Sequence, residues 1–413
     1  MFLRQRLLTM VHRLNCIGIG VLAAGVLVCA GTWGQQVNEF PRHEDPLHVR
    51  VDMFDKLIRG NHWNEGAVMP HVIFPPAGKD TPIIGSQEDC PIHTGGYLAA
   101  LSFRYAVTQE PEVRTWADQT MNGILKLESV TGQPGCVARS FTKTDAPNWH
   151  EQVFFFPMEW HESTALSGYR WMGDLSSDQF TGLIFGVTVY WELCADEAHK
   201  KIAADFIDRM MGRCIEHDFR IVDADNKMTL WGNFCPDLPH EKLNALLILA
   251  HLKTAHHVTG QAAYDTAYKR LITRYHYDDE AILAKVIWPE QWRNDGDDRL
   301  ALMALYHLMR FEDNSPLLQK YRMSLNRHWS VWKDTDDPVF HMFYQALTGE
   351  KVMDDKTVAR IKSLWGFDRE RQTWNIPTPE GPKTVEAEFE DINMWLLPTY
   401  WFGRYKGLID AGW

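Results

Sequence analysis

Acids, amides and hydroxyls gather at four places in this sequence, each directly ahead of an apolar stretch long enough for a helix. The first is Gly173-Asp174-Leu175-Ser176-Ser177-Asp178-Gln179. Ser176 and Gln179 have the spacing of a capping box, and an acid near a helix start complements the helix dipole. The cluster holds more acid and hydroxyl than a cap requires, which leaves Asp178, and with it Asp174, as candidate catalytic groups. The second is Asn294-Asp295-Gly296-Asp297-Asp298-Arg299. Asp297 and Asp298 there can cap a helix, bind a cation, or act as acid and base. The third runs from Trp231-Gly232-Asn233 to His240 and Asn244, and the fourth is Glu88-Asp89-Cys90-Pro91-Ile92-His93-Thr94. His93 and His240 taken singly are more often structural than catalytic. Their weight comes from sharing the position of the other clusters.

Two reactions fit these residue types. Glycoside hydrolysis needs one protonated and one ionised carboxyl group, about 5–5.5 Å apart for retention and about 6.5–9.5 Å for inversion. Asp178 with Asp297 or Asp298 can supply that pair from different parts of the chain. Trp231, His240, Asp89, His93 and Asn294 would then position the sugar. β-Elimination on a uronate needs a group that neutralises the carboxylate and a base that removes a proton. His240, Asn244, Arg299 and Tyr306 can fill those roles. Neither reaction needs a cofactor. No HExxH, Walker loop, GxGxxG or GxSxG occurs in a fitting context, and Asp297-Asp298 does not extend to DDxxD. No metal site is expected, calcium among the four Asp being the residual possibility.

The elements that must position these groups are helical hairpins. Apolar residues such as Leu243, Leu246, Leu247 and Ala250 recur at threes and fours, not in alternation. The spacing predicts five pairs of helices: 94–106 with 111–127, 177–193 with 197–216, 241–258 with 262–275, 297–310 with 316–329, and 338–347 with a helix from about 355. Residues 47–60 and 390–408 offer a sixth, closing pair. Turns inside the pairs are short and polar, so partners are antiparallel neighbours. Connections between pairs are long: 61–92, 129–175, 217–240, 276–296 and 330–337. Irregular repeat lengths favour a closed all-α (α/α)6-type toroid over an open α-solenoid. All short turns then fall on one end and all long loops on the other. The four clusters share that long-loop rim, where function is expected.

Bulk properties narrow the class. Residues 1–34 read as a signal peptide, with Arg4, Arg6 and Arg13 ahead of an uncharged run from Ile17 to Ala30 too short to span a bilayer. The expected product is a periplasmic or secreted domain covering 35–413, with no stable membrane insertion once the leader is cleaved. Removing the leader takes the formal net charge from −12 to −15, which disfavours nucleic acid as a partner. Cys90, Cys136, Cys194, Cys214 and Cys235 are odd in number and widely spaced, unlike a disulfide scaffold or a zinc site. No feature of the sequence sets an oligomeric state.

Several of these pieces also resemble bacterial exported proteins of the six-hairpin glycosidase-like (α/α)-toroid superfamily. The resemblance spans most of 85–330 and rests on His93-Thr94-Gly95-Gly96-Tyr97, Phe103-Arg104-Tyr105-Ala106, Val130-Thr131-Gly132 and Ala138-Arg139-Ser140. It continues through Gly173 to Asp178, Trp231-Gly232, Lys253 to His257 and Asp297-Asp298. It implies a toroid that processes polysaccharide, as glycosidase or uronate lyase. It also implies an acid after the Ser-Ser-Asp element, where this chain has Gln179. If that acid is the proton donor, this chain is impaired. The expectations are therefore a glycoside hydrolase, then a polysaccharide lyase, then a non-catalytic glycan-binding protein.

Overall fold

The computed structural model describes residues 39–74, 83–84, 89–145, 160–378 and 381–413. The expected leader and Glu88 lie outside the described residues. Helix α1 (Leu47–Leu57) runs into one π-helical turn, Ile58–His62. Five hairpins follow: α2 (Cys90–Thr108) with α3 (Pro111–Ser129), α4 (Ser177–Leu193) with α5 (Glu197–Glu216), α6 (Lys242–Thr259) with α7 (Ala262–Tyr275), and, after the short α8 (Tyr277–Ile282), α9 (Asp295–Phe311) with α10 (Ser315–Trp332) and α11 (Pro338–Thr348) with α12 (Asp355–Lys362). Helix α13 (Leu396–Tyr405) comes last. Pro111, Pro316 and Pro338 stand in first turns, where their missing N–H groups leave no bond unmade.

The first helices form an inner ring. Helix α2 packs on α4, α4 on α6, α6 on α9, α9 on α11, α11 on α13, and α13 returns to α2. Their partners pack outside, and α1 covers α13, so the first described helix closes a pair with the last. The sequence distinguishes the two layers. Helix α4 is buried at every position from Gln179 to Tyr190, as an inner helix must be. Helix α5 buries only Ala203, Phe206, Ile207, Met210, Met211 and Cys214, a single stripe at helical spacing. The closure is clasped by polar bonds. The His48 backbone N–H donates to the Trp413 carbonyl at 2.8 Å, and buried Arg50 donates to the carbonyls of Asp45, Lys362 and Leu364.

Helices α2 and α4 approach backbone to backbone. A Cβ at Gly95 would overlap the Gly182 carbonyl, and one at Gly186 would overlap that of Gly95. Only glycine fits there.

The sequence reading missed the strands. β1 (Trp63–Asn64) pairs with β2 (Ala67–Val68), and β3 (His71–Phe74) pairs with β4 (Ile83–Ile84). β5 (Ser140–Lys143), β6 (Trp160–Glu162) and β7 (Tyr169–Met172) form a sheet in the order β5-β7-β6, and β8 (Arg220–Val222) pairs with β9 (Met228–Asn233). The long hairpin β10 (Phe367–Thr378) and β11 (Gly381–Ile392) adds to β3, giving an antiparallel sheet β10-β11-β3-β4. The expected helical segment 390–408 is therefore a strand to Ile392 before α13 begins. Every one of these sheets lies in a connection leading to an inner helix, so the strands dress the rim and leave the ring all-helical.

The five cysteines at 90, 136, 194, 214 and 235 are buried free thiols. No described helix is long and apolar enough to cross a membrane.

Candidate functional site at the ring mouth

Because the inner helices share one direction, their N-termini gather at one mouth, and acids stand at most of them. Asp89 directly precedes α2, Asp178 is in the first turn of α4, Glu241 directly precedes α6, Asp295, Asp297 and Asp298 open α9, and Asp337 caps α11. Dipole complementation accounts for an acid at each start taken singly.

Asp297 stands out among them. Its Oδ1 is buried without a hydrogen-bond partner among the described residues. Burial, and then the negative charges of Glu241, Asp298 and Asp178, push its carboxyl up to about 8. The same influences place Asp178 and Glu241 in its electrostatic neighbourhood, although they belong to two other hairpins. In the sequence Glu241 marks only a helix boundary. Its signal in the sequence was its position, an acid heading the third inner helix beside His240.

Asp298, the next residue, is the opposite case. It is buried against the Lys285 ammonium, with His328 Nδ1 at 2.9 Å and Trp332 Nε1 donating at 2.7 Å. Burial would raise its carboxyl, but His328 and Lys285 outweigh it and hold the group below its ordinary value. Neighbours in sequence are thus driven apart in acidity, a pattern that marks acid and base assignments in enzyme sites. With its oxygens occupied by three donors, Asp298 is suited to holding Asp297 in place, not to reacting.

The other candidates are mostly braces for the mouth. Asp174 takes a left-handed φ of 66° and accepts from the Leu230 N–H at 2.6 Å, while its own N–H donates to Asp223 at 2.5 Å and its carbonyl accepts from Arg139. It fastens the approach to α4 onto β9. Asn244 donates to the Asn233 carbonyl at 2.9 Å, fixing the end of β9, on which half-buried Trp231 stands. His240 faces acceptors with both ring nitrogens, Leu238 O at 3.0 Å and Glu280 Oε2 at 2.8 Å. Asn294 caps α9 by accepting from Gly296 N–H at 2.9 Å. Arg299 pairs with Asp295 and Asp337, each at 2.8 Å.

Tyr306 does not join the mouth. It lies nine residues beyond Asp297 on α9, about 13 Å along the helix. Its ring is buried against Phe343 and Phe402 with the Arg310 guanidinium 4.6 Å from its centre. The base expected of it for β-elimination is out of reach.

On the α2 side, Gln179 occupies the place where the resemblance implies an acid. It is buried, completes the capping box with Ser176, and donates to Asp89 Oδ1 at 3.2 Å. Its amide serves an acceptor and a donor at once, which an ionised Glu cannot. His93 lies on the first turn of α2, its N–H bonded to the Asp89 carbonyl at 3.2 Å. Burial lowers its imidazole to about 4, against the pull of Asp89, so it is neutral at pH 7. Beyond it, His62 faces Glu390 at 2.9 Å, and Glu390 also accepts from Asn61 at 3.1 Å and Arg369 at 2.8 Å. His71 pairs with Asp391 at 3.0 Å. Sequence reading had no means of finding this network, which joins residues over three hundred positions apart. Among the described residues no group of three or more His, Cys, Asp or Glu could hold a metal ion.

The fold and mouth define a class, a closed ring of six helical hairpins with carboxylates at its opening. No protein-family model matches the chain, and no curated protein matches it. Among solved structures it is similar to one described as Bacteroides ovatus GH9, at 10% identity and a TM-score of 0.43, over 82% of this chain and 76% of that one. A likeness of that degree carries no argument about activity.

Proposed function

We propose that the chain is a glycoside hydrolase working at the mouth of the ring, with Asp297 as general acid. The observation that carries this is the half-buried Asp297 carboxyl, whose buried Oδ1 lacks a partner among the described residues, set among the charges of Glu241, Asp298 and Asp178. A carboxyl that keeps its proton at neutral pH can deliver it to a glycosidic oxygen as the bond to the anomeric carbon breaks. Asp178 or Glu241 then acts as the ionised partner, attacking the anomeric carbon or taking a proton from water. In this reading His93 and Trp231 contact the sugar, while Asp89, His240, Asn244, Asn294, Arg299 and Asp174 shape the mouth. An export leader at 1–34 ahead of a domain at 35–413 belongs to the same reading, and finding Gln35 at the mature N-terminus tests it.

The test is a reducing-end assay over neutral and uronate glycans with Asp297→Asn, Asp178→Asn and Glu241→Gln. Loss of turnover in Asp297→Asn with binding retained supports the reading. Cleavage that survives that change removes Asp297 as the acid. Glycan binding without any turnover by the unaltered chain leaves a binding protein, and an unsaturated product absorbance marks a lyase.

A further inference from the structure

The loop that delivers α9 to the mouth turns large apolar side chains outward. Trp288 is 81% exposed and Trp292 47%, with Leu283 and Val286 continuing the strip. Folding alone gives no reason for this, since leaving an indole in water forgoes much of its burial free energy. The loop is nonetheless firmly built. The Trp292 N–H donates to Pro289 O at 3.0 Å, and Arg293 Nε donates to Ile287 O at 3.0 Å. Its root is buried. Lys285 is paired with Asp298, and the Lys285 carbonyl accepts from Arg327 at 3.0 Å. The loop is therefore tied to the residue next to Asp297.

The charges around it are largely matched in pairs: Lys285 with Asp298, Arg293 with Glu290, Lys242 with Glu280, and Arg299 with Asp295 and Asp337. A polyanion finds little excess positive charge at this edge to draw it in. An uncharged chain with flat apolar faces needs none, and a sugar ring presents such a face of C–H groups to an indole.

Resting on the hydrolase reading of the mouth, we propose that Trp288, with Trp292, forms a rigid stacking platform beside it that binds an uncharged polysaccharide, the substrate being a neutral polymer and not a uronate. The platform holds sugar units on one side of the cleavage point, so that affinity grows with chain length.

The experiment uses the full chain carrying Asp297→Asn, so that bound polymer persists, titrated with β-glucan, xylan and mannan as neutral probes and polygalacturonate and alginate as charged ones. Affinity is read by gel retardation and tryptophan fluorescence. One neutral polymer should bind with a shift in indole emission, and adding Trp288→Ala should weaken it by about tenfold, as expected for losing an aromatic anchor. Trp288→Phe should restore part of the loss. Equal affinity in the Trp288→Ala protein, preference for a uronate polymer, or no binding to any probe overturns the platform. So does a Trp288→Ala protein whose only change is lost self-association, which would make the strip a contact between copies. Length-dependent binding in a parent protein that never cleaves the polymer sustains the platform while ending the hydrolase reading.

Discussion

Two adjacent aspartates on α9 show how far environment separates identical side chains. Asp298 meets an ammonium, an imidazole and an indole N–H, whereas Asp297 has an Oδ1 without a partner among the described residues and lies under the influence of three other carboxylates. Raised above its unfolded value near 3.8 to about 8, Asp297 binds its proton more tightly in the folded chain. Between those values the unfolded state ionises first, so this group's contribution to stability falls as pH rises, and the cost is constant above about 8. Asp297→Asn should therefore stabilise the fold at pH 8, on the order of 1–3 kcal/mol, and leave it unchanged near pH 3.5, as measured by urea unfolding at both values. In activity the same group should set the alkaline limb of kcat/KM near pH 8, and the Asn variant should lose about 100-fold or more in turnover. Lys285→Met removes the ammonium from buried Asp298. It should cost about 1.5–3 kcal/mol of unfolding free energy, since Asp298 loses one charged donor and keeps His328 and Trp332.

At the scale of elements, the ring depends on helices that touch without side chains between them. Gly186→Ala places a methyl group against the Gly95 carbonyl and should destabilise by about 1–3 kcal/mol, seen as a lowered Tm with unchanged helical circular dichroism. The mouth depends on the cap of α4. Gln179→Glu would set a second carboxylate against Asp89, costing about 1–2 kcal/mol at pH 7 and regaining it as pH falls toward 4, where the new acid is neutral. Helix spacing, Pro at first turns and polar hairpin turns made the five complete hairpins legible to within a few residues. The strands were less legible, because most are two to six residues long and sit inside loops rich in aromatic and polar residues. One signal was missed: Val385-Glu386-Ala387-Glu388-Phe389-Glu390 alternates with a period of two, which marks a strand and not a helix. Of the candidate residues, the placing of the clusters at inner-helix starts was readable. Which acid would be paired and which left with its proton was not, because Lys285, His328 and Trp332 reach Asp298 from other loops and helices.

For the whole molecule, the first described helix completes the pair begun by the last, and His48 meets the Trp413 carbonyl. A ring of this kind has no intrinsic first hairpin. Covalently joining residue 413 to residue 39 through a few glycines and reopening the chain within 194–196, on the end away from the mouth, should give a circular permutant with the same helix content and cooperative unfolding. Any activity at the mouth should survive the rewiring, because the carboxylates stay on their helices and only the order of synthesis changes. A permutant that fails to fold would show that α1 must be made before its partner, and that the ring's symmetry ends at its assembly.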